Sequence, residues 1–99
     1  MEIFKKEMNI FSSMSNDLEK AQVMFKLLRK DNWGAKYDRT EHFKRFPNLN
    51  KIIKELHKMS WVILKKKANY LGISLNPKHK KEIEDFIIKQ MPHVENMIM

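Results

Sequence analysis

Between Leu49 and Pro77 the apolar residues change their spacing, and few small folds accommodate that change. Leu49, Ile52, Ile53, Leu56 and Met59 fall at i, i+3, i+4, i+7 and i+10, the pattern of a helix with one buried stripe. After Ser60 the stripe stops. Trp61-Val62-Ile63-Leu64 is aromatic and β-branched and Ile73-Ser74-Leu75 alternates, so both are predicted strands. Between them Lys65 to Gly72 reads as a basic loop with a glycine near its end. Asn76-Pro77 then supplies a cap residue and a proline suited to the first helical position. The helix it opens is predicted to run to about Gln90, with Ile83, Phe86, Ile87 and Met91 inward, until Pro92 closes it.

Upstream, residues 3–14 place Phe4, Met8 and Phe11 at helical spacing, with Ile3 and Met14 flanking them. A short amphipathic helix is expected there, loosened at its end by Ser12 and Ser13. Asn16 followed by Glu19 has the form of a capping box, so a second helix is expected from about Asp17. Its stripe is Leu18, Ala21, Met24, Phe25 and Leu28, and Asp31-Asn32-Trp33-Gly34 ends it. Asp38 and Glu41 repeat the cap spacing before a brief helix from about Arg39 to Phe46, which buries Phe43 and Phe46 and stops at Pro47. Asn48 and Asn50 are candidate caps for the helix that follows.

The 99 residues make one domain, divided into an N-terminal helix over 1–14 and a core over 17–91. The expected class is mainly α with a small β-hairpin: a winged helix-turn-helix with an extra N-terminal helix and a C-terminal helix.

Charge is segregated along the chain. Lys44 to Lys81 holds eleven Lys or Arg residues and one acid, Glu55, while the whole chain carries +8. The first 43 residues nearly balance, and the last 18 are acidic. Such a field draws polyanions to one face. Uniform lysine enrichment would have reached the tail as well. The chain has no cysteine, which fits a reducing cytoplasm. No apolar run approaches the roughly 18 residues of a membrane span, and the first residues lack the apolar block of a signal peptide. A cytoplasmic protein without membrane contact is expected.

The predicted order lets the third helix bury its stripe while its opposite face stays free. Ten residues of helix span about 15 Å, and a major groove is about 12 Å wide. Lys51, Lys54 and Lys58 share one side of that helix, with His57 near it. The hairpin is expected to bring Lys65, Lys66, Lys67 and Asn69 to the flanking backbone, and Lys44 and Arg45 to approach from the preceding helix. Asn48 and Asn50 are the only residues there with base-reading chemistry, since lysine acts as a point charge. The expectation is therefore binding governed by salt, with modest sequence preference. Lys78, His79, Lys80 and Lys81 open the last helix against its dipole, which a phosphate partner would offset.

Catalysis finds no support. His42, His57, His79 and His93 share no metal-ligand spacing, and two glycines cannot build a phosphate-cradling loop. No cofactor or metal is expected. Phe4, Met8 and Phe11 on the added N-terminal helix, with Met14, Met97 and Met99 near the chain ends, suggest packing onto a second copy to form a homodimer.

The phrase Leu28-Arg29-Lys30-Asp31-Asn32-Trp33-Gly34-Ala35-Lys36 is followed in order by Phe46-Pro47, Lys54-Glu55-Leu56, Lys65-Lys66-Lys67 and Ile73-Ser74-Leu75-Asn76-Pro77. In this order the phrases resemble a group of small archaeal winged-helix proteins. The resemblance covers roughly residues 25–90. Ala35 departs from a second glycine, Tyr37 stands where histidine is usual, and the wing is about one residue short near Tyr70-Leu71-Gly72. The resemblance implies an archaeal source and a winged helix, and no biochemical role. Residue by residue, the expected function is double-stranded DNA binding through phosphates, as a regulator or chromatin-type protein. Structured RNA or ribosome binding through the same face, or a protein-interaction role, are the alternatives.

Overall fold

The computed structural model describes residues 2–98, with side chains from residue 16 onward. The chain is mainly helical with a small three-stranded antiparallel sheet. Helix α1 spans Glu2–Arg29, strand β1 Asp38–Arg39, and a 3-10 turn Thr40–Phe43. Helix α2 (Leu49–Lys58) leads into β2 (Val62–Lys66) and β3 (Leu71–Leu75). A 3-10 turn, Pro77–His79, opens α3 (Lys80–Gln90), and Pro92–Val94 leads into the short α4 (Glu95–Ile98).

One continuous α1 replaces the two helices expected. Ser12, Ser13 and Asn16 cost a helix interior well under about 1 kcal/mol each, unlike proline, so none of them forces a break. The expected capping box does not form. Asn16 is buried within the helix, and the Glu19 carboxylate accepts from Asn48 instead. The dimer contact expected of Phe4, Met8 and Phe11, like the parts given to Ile3, Met14 and Met99, lies outside the described side chains and residues. Met97 is exposed.

Both principal helices end in a left-handed residue that is not glycine. After α1, Asp31 has φ 58°; Asn32 N donates to Leu27 O and Asp31 N to Leu28 O, both at 3.0 Å. After α2, Ser60 has φ 64°; Trp61 N donates to Leu56 O and Ser60 N to His57 O, again at 3.0 Å. These paired bonds satisfy carbonyls that a helix end leaves open.

The sheet order is β1-β3-β2. Strand β1 was not foreseen, and it shortens the helix expected over Arg39–Phe46 to the 3-10 turn. Arg39 is extended, with φ −84° and ψ 136°, because it pairs with Gly72 while Asp38 pairs with Ile73. In the hairpin Val62 lies opposite Leu75 and Lys66 opposite Leu71. Lys65 and Lys66 are thus strand residues, and the turn is confined to 67–70, closed by Lys67 N to Tyr70 O at 2.9 Å. Cross-strand pairing carries the strand past the end of its apolar run.

The core joins Val23, Met24 and Leu27 of α1 to Ile52 and Leu56 of α2. It continues through Val62, Ile73 and Leu75 of the sheet to Ile83 and Ile87 of α3. Burying each such side chain contributes roughly 1.5–3 kcal/mol. Phe43 and Phe46 are buried as expected. Phe86 sits at the core's edge, edge-on to Trp61 at 5.4 Å. Asn76 caps the Pro77–His79 turn, its side chain accepting from Lys78 N at 3.1 Å with Pro77 next. No helix among the described residues is long and apolar enough to cross a membrane.

Candidate functional site

Packing determines which face of α2 is free. Ile52, Ile53 and Leu56 point into the core. At about 100° per residue, Asn50, Lys51, Lys54, His57 and Lys58 fall on the opposite arc, and all five are exposed. Glu55, the one acid of the basic segment, is turned off that arc. It forms an ion pair with the Lys20 ammonium of α1 at 3.1 Å, and Lys20 also meets Asp17 at 3.3 Å. Turned this way, Glu55 adds no negative charge to the outward face. Lys51, Lys54 and Lys58 form no ion pair among the described residues, whereas Lys30, Lys36 and Arg39 each do.

The other expected contact residues are divided. Lys44 lines a shallow cleft at the start of α2 with Asn50 and Lys51. Arg45 lies across the Phe46-Pro47 ridge, in a cavity with Lys26 and Arg29. Asn48 does not cap α2 with its side chain. Its Nδ2 donates to Glu19 Oε1 at 2.8 Å and its backbone N to Oε2 at 3.4 Å, so its amide is already engaged within the fold.

Strand alternation splits the lysine run of the hairpin. Lys66 leaves β2 on the side of Val62 and Leu64, where the core and α2 lie. Lys65 leaves on the opposite side. Its ammonium donates to Ala35 O at 3.3 Å and lies 5.0 Å from the Tyr37 ring centre. Lys67 sits over the same ring at 5.3 Å. Asn69 is exposed in the turn.

That outer sheet face holds a cluster which the lysine count did not reveal. Arg39, Gly72 and Lys65 form one row across the three strands. Tyr37 lies over Gly72 so closely that a Cβ there would meet its Cδ2 at 2.6 Å. Tyr37 and Tyr70 stack at 6.3 Å with their hydroxyls 3.2 Å apart, and Arg39 covers Tyr70 at 4.2 Å. The hydrogen bond with Tyr70 holds the Tyr37 phenol below its usual pKa, outweighing burial and aided by Lys67 and Lys65. The same bond raises that of Tyr70. The available sequence signal was Gly72 itself, since a glycine inside a strand marks a close approach.

Among the described residues no three His, Cys, Asp or Glu side chains come together to hold a metal. His42 bonds Asp38 and His79 bonds Glu82, while His57 remains on the free face of α2. No protein-family model, curated protein or solved structure matches the chain.

Proposed function

We propose that this chain is a winged helix related to the small archaeal group, and that it binds double-stranded DNA chiefly through its phosphates. The observation that carries this reading is the outward face of α2. There Lys51, Lys54 and Lys58 form no ion pair among the described residues, while Glu55 is turned to Lys20. The element order and the β1-β3-β2 sheet support it, since they set a hairpin immediately after a helix with a free polar face. In this reading α2 enters the major groove, Lys44 and Asn50 meet the phosphates at its start, and Lys66, Lys67 and Asn69 meet the flanking backbone. Asn48 and Lys65 contribute less, being held by Glu19 and Ala35. With lysine as the main contact, sequence preference is modest.

Binding to random-sequence duplex DNA over a salt series tests the proposal. With about six phosphates neutralised, affinity should fall about a thousandfold between 50 and 200 mM salt. A log–log slope near one or two would reject this contact set. Duplex RNA run in parallel separates the polymers: equal or tighter RNA binding would move the function to structured RNA.

A further inference from the structure

Beside α1, on the far side of the Phe46-Pro47 ridge from the start of α2, lies an open cavity of about 630 Å³. That is within the range of small-molecule sites, about 300–1,000 Å³. Phe25, Phe46 and Met91 give it an apolar wall, and Lys26, Arg29 and Arg45 bring three cations. The one acid among its described lining residues is Glu19, whose carboxylate oxygens accept from Asn48. Neither Arg29 nor Arg45 forms an ion pair among the described residues. Their guanidinium groups lie over Phe25 and Phe46, at 5.8 and 5.2 Å from the ring centres.

Lys26 shows how crowded this charge is. Its ammonium donates to His42 O at 2.6 Å and lies 4.5 Å from the Phe43 ring centre. Burial holds it below its usual pKa, and the charges of Lys30 and Arg45 push it the same way. Against three cations the described lining carries the single Glu19 carboxylate, and Asp38 offsets only part of the charge felt at Lys26, so the cations repel one another. A ligand with one negative group at the guanidinium forks would relieve that repulsion, because the planar fork matches a carboxylate. A flat apolar body on the same ligand would cover the two phenylalanines and Met91.

We propose that this cavity binds a small aromatic monoanion, of the aryl carboxylate type. None of the exposed α2 residues Asn50, Lys51, Lys54, His57 and Lys58 lines it, although it shares Phe46 and Pro47 with the cleft at the start of α2.

Titration of 2-naphthoate into the full chain, followed by proton–nitrogen NMR without nucleic acid, tests it. One saturable site is expected, with the largest shifts at Phe25, Arg29, Arg45, Phe46 and Met91. The neutral 2-naphthalenemethanol and inorganic phosphate each carry half of the recognition, and each should bind about tenfold more weakly or worse. Replacing both arginines (Arg29→Gln, Arg45→Gln) should weaken naphthoate by about tenfold or more. Lys80→Gln with Lys81→Gln, the same loss of two charges at exposed positions of α3, should leave it unchanged. Equal affinity for the alcohol or for phosphate, shifts away from the cavity, or undiminished binding to the double variant would overturn the proposal. If the double variant does not fold, Arg29→Gln alone decides the point, since Arg29 is exposed on α1. Failure here would leave the salt series on DNA untouched, and the reverse holds as well.

Discussion

Asp38 binds three segments with one carboxylate. It accepts from Lys30 Nζ at the end of α1 at 2.8 Å and from its neighbour Arg39 N at 2.8 Å, and it contacts His42 Nδ1 at 2.5 Å. Burial pushes its pKa up, but hydrogen bonds from Lys30, His42 and Arg39 together hold it below the ordinary carboxylate value. Asp38→Asn should therefore cost about 1–3 kcal/mol at neutral pH, as read by urea unfolding. A depressed folded-state pKa stabilises the fold above the unfolded value, about 3.9, and that gain fades as pH falls through the lower folded value. The gap between Asp38→Asn and the parent should narrow below about pH 4. A gap that stays constant into acid would contradict this assignment. The residue types of the basic segment were legible in the sequence, but the engagement of particular members was not. Asn48 and Lys65 look as free as Asn50 and Lys66 until Glu19 and Ala35 come beside them, and those partners lie 29 and 30 residues away.

Elements were legible where one local signal sufficed. The stripe of α2 and the Asn76-Pro77 cap needed only neighbours within a few residues. Strand β1 has two residues and no pattern of its own; it exists because Ile73 and Gly72 offer a paired edge. The left-handed end of α2 at Ser60 was equally silent, because serine does not announce φ 64° as glycine would. That conformation costs an ordinary residue about 1–2 kcal/mol. Ser60→Gly should accordingly stabilise the protein by about 1 kcal/mol. Thermal unfolding would show this as a rise of about 4–8 °C for a domain of this size, and a lower midpoint would mean that the Ser60 hydroxyl matters in a way its backbone bonds do not reveal. Gly72 works in the opposite sense: it leaves room for the Tyr37 ring, and its value lies in having no side chain.

At the scale of the molecule, one face gathers lysines that form no ion pair among the described residues. A chain of +8 whose free lysines repel one another should become more stable as salt screens them, while its complex with a polyanion weakens. Unfolding midpoints measured from low ionic strength to about 0.15 M, where the screening length is about 8 Å, should rise without DNA and fall with it. A midpoint that drops with salt in the free protein would show that its attractive ion pairs, such as Lys20 with Glu55, outweigh the repulsion. The amino-acid order determined by itself the periods of α2 and the hairpin, the cap of the Pro77–His79 turn that opens α3, and the crowding of cations into the middle of the chain. Each of these depends on residues close together in sequence. Only the tertiary structure decided that Glu55 turns to Lys20, that Lys44 and Arg45 part across Phe46-Pro47, and that Tyr37 and Tyr70 meet over Gly72. Those outcomes depend on which distant groups fill the space beside a residue, and spacing along the chain carries no record of that.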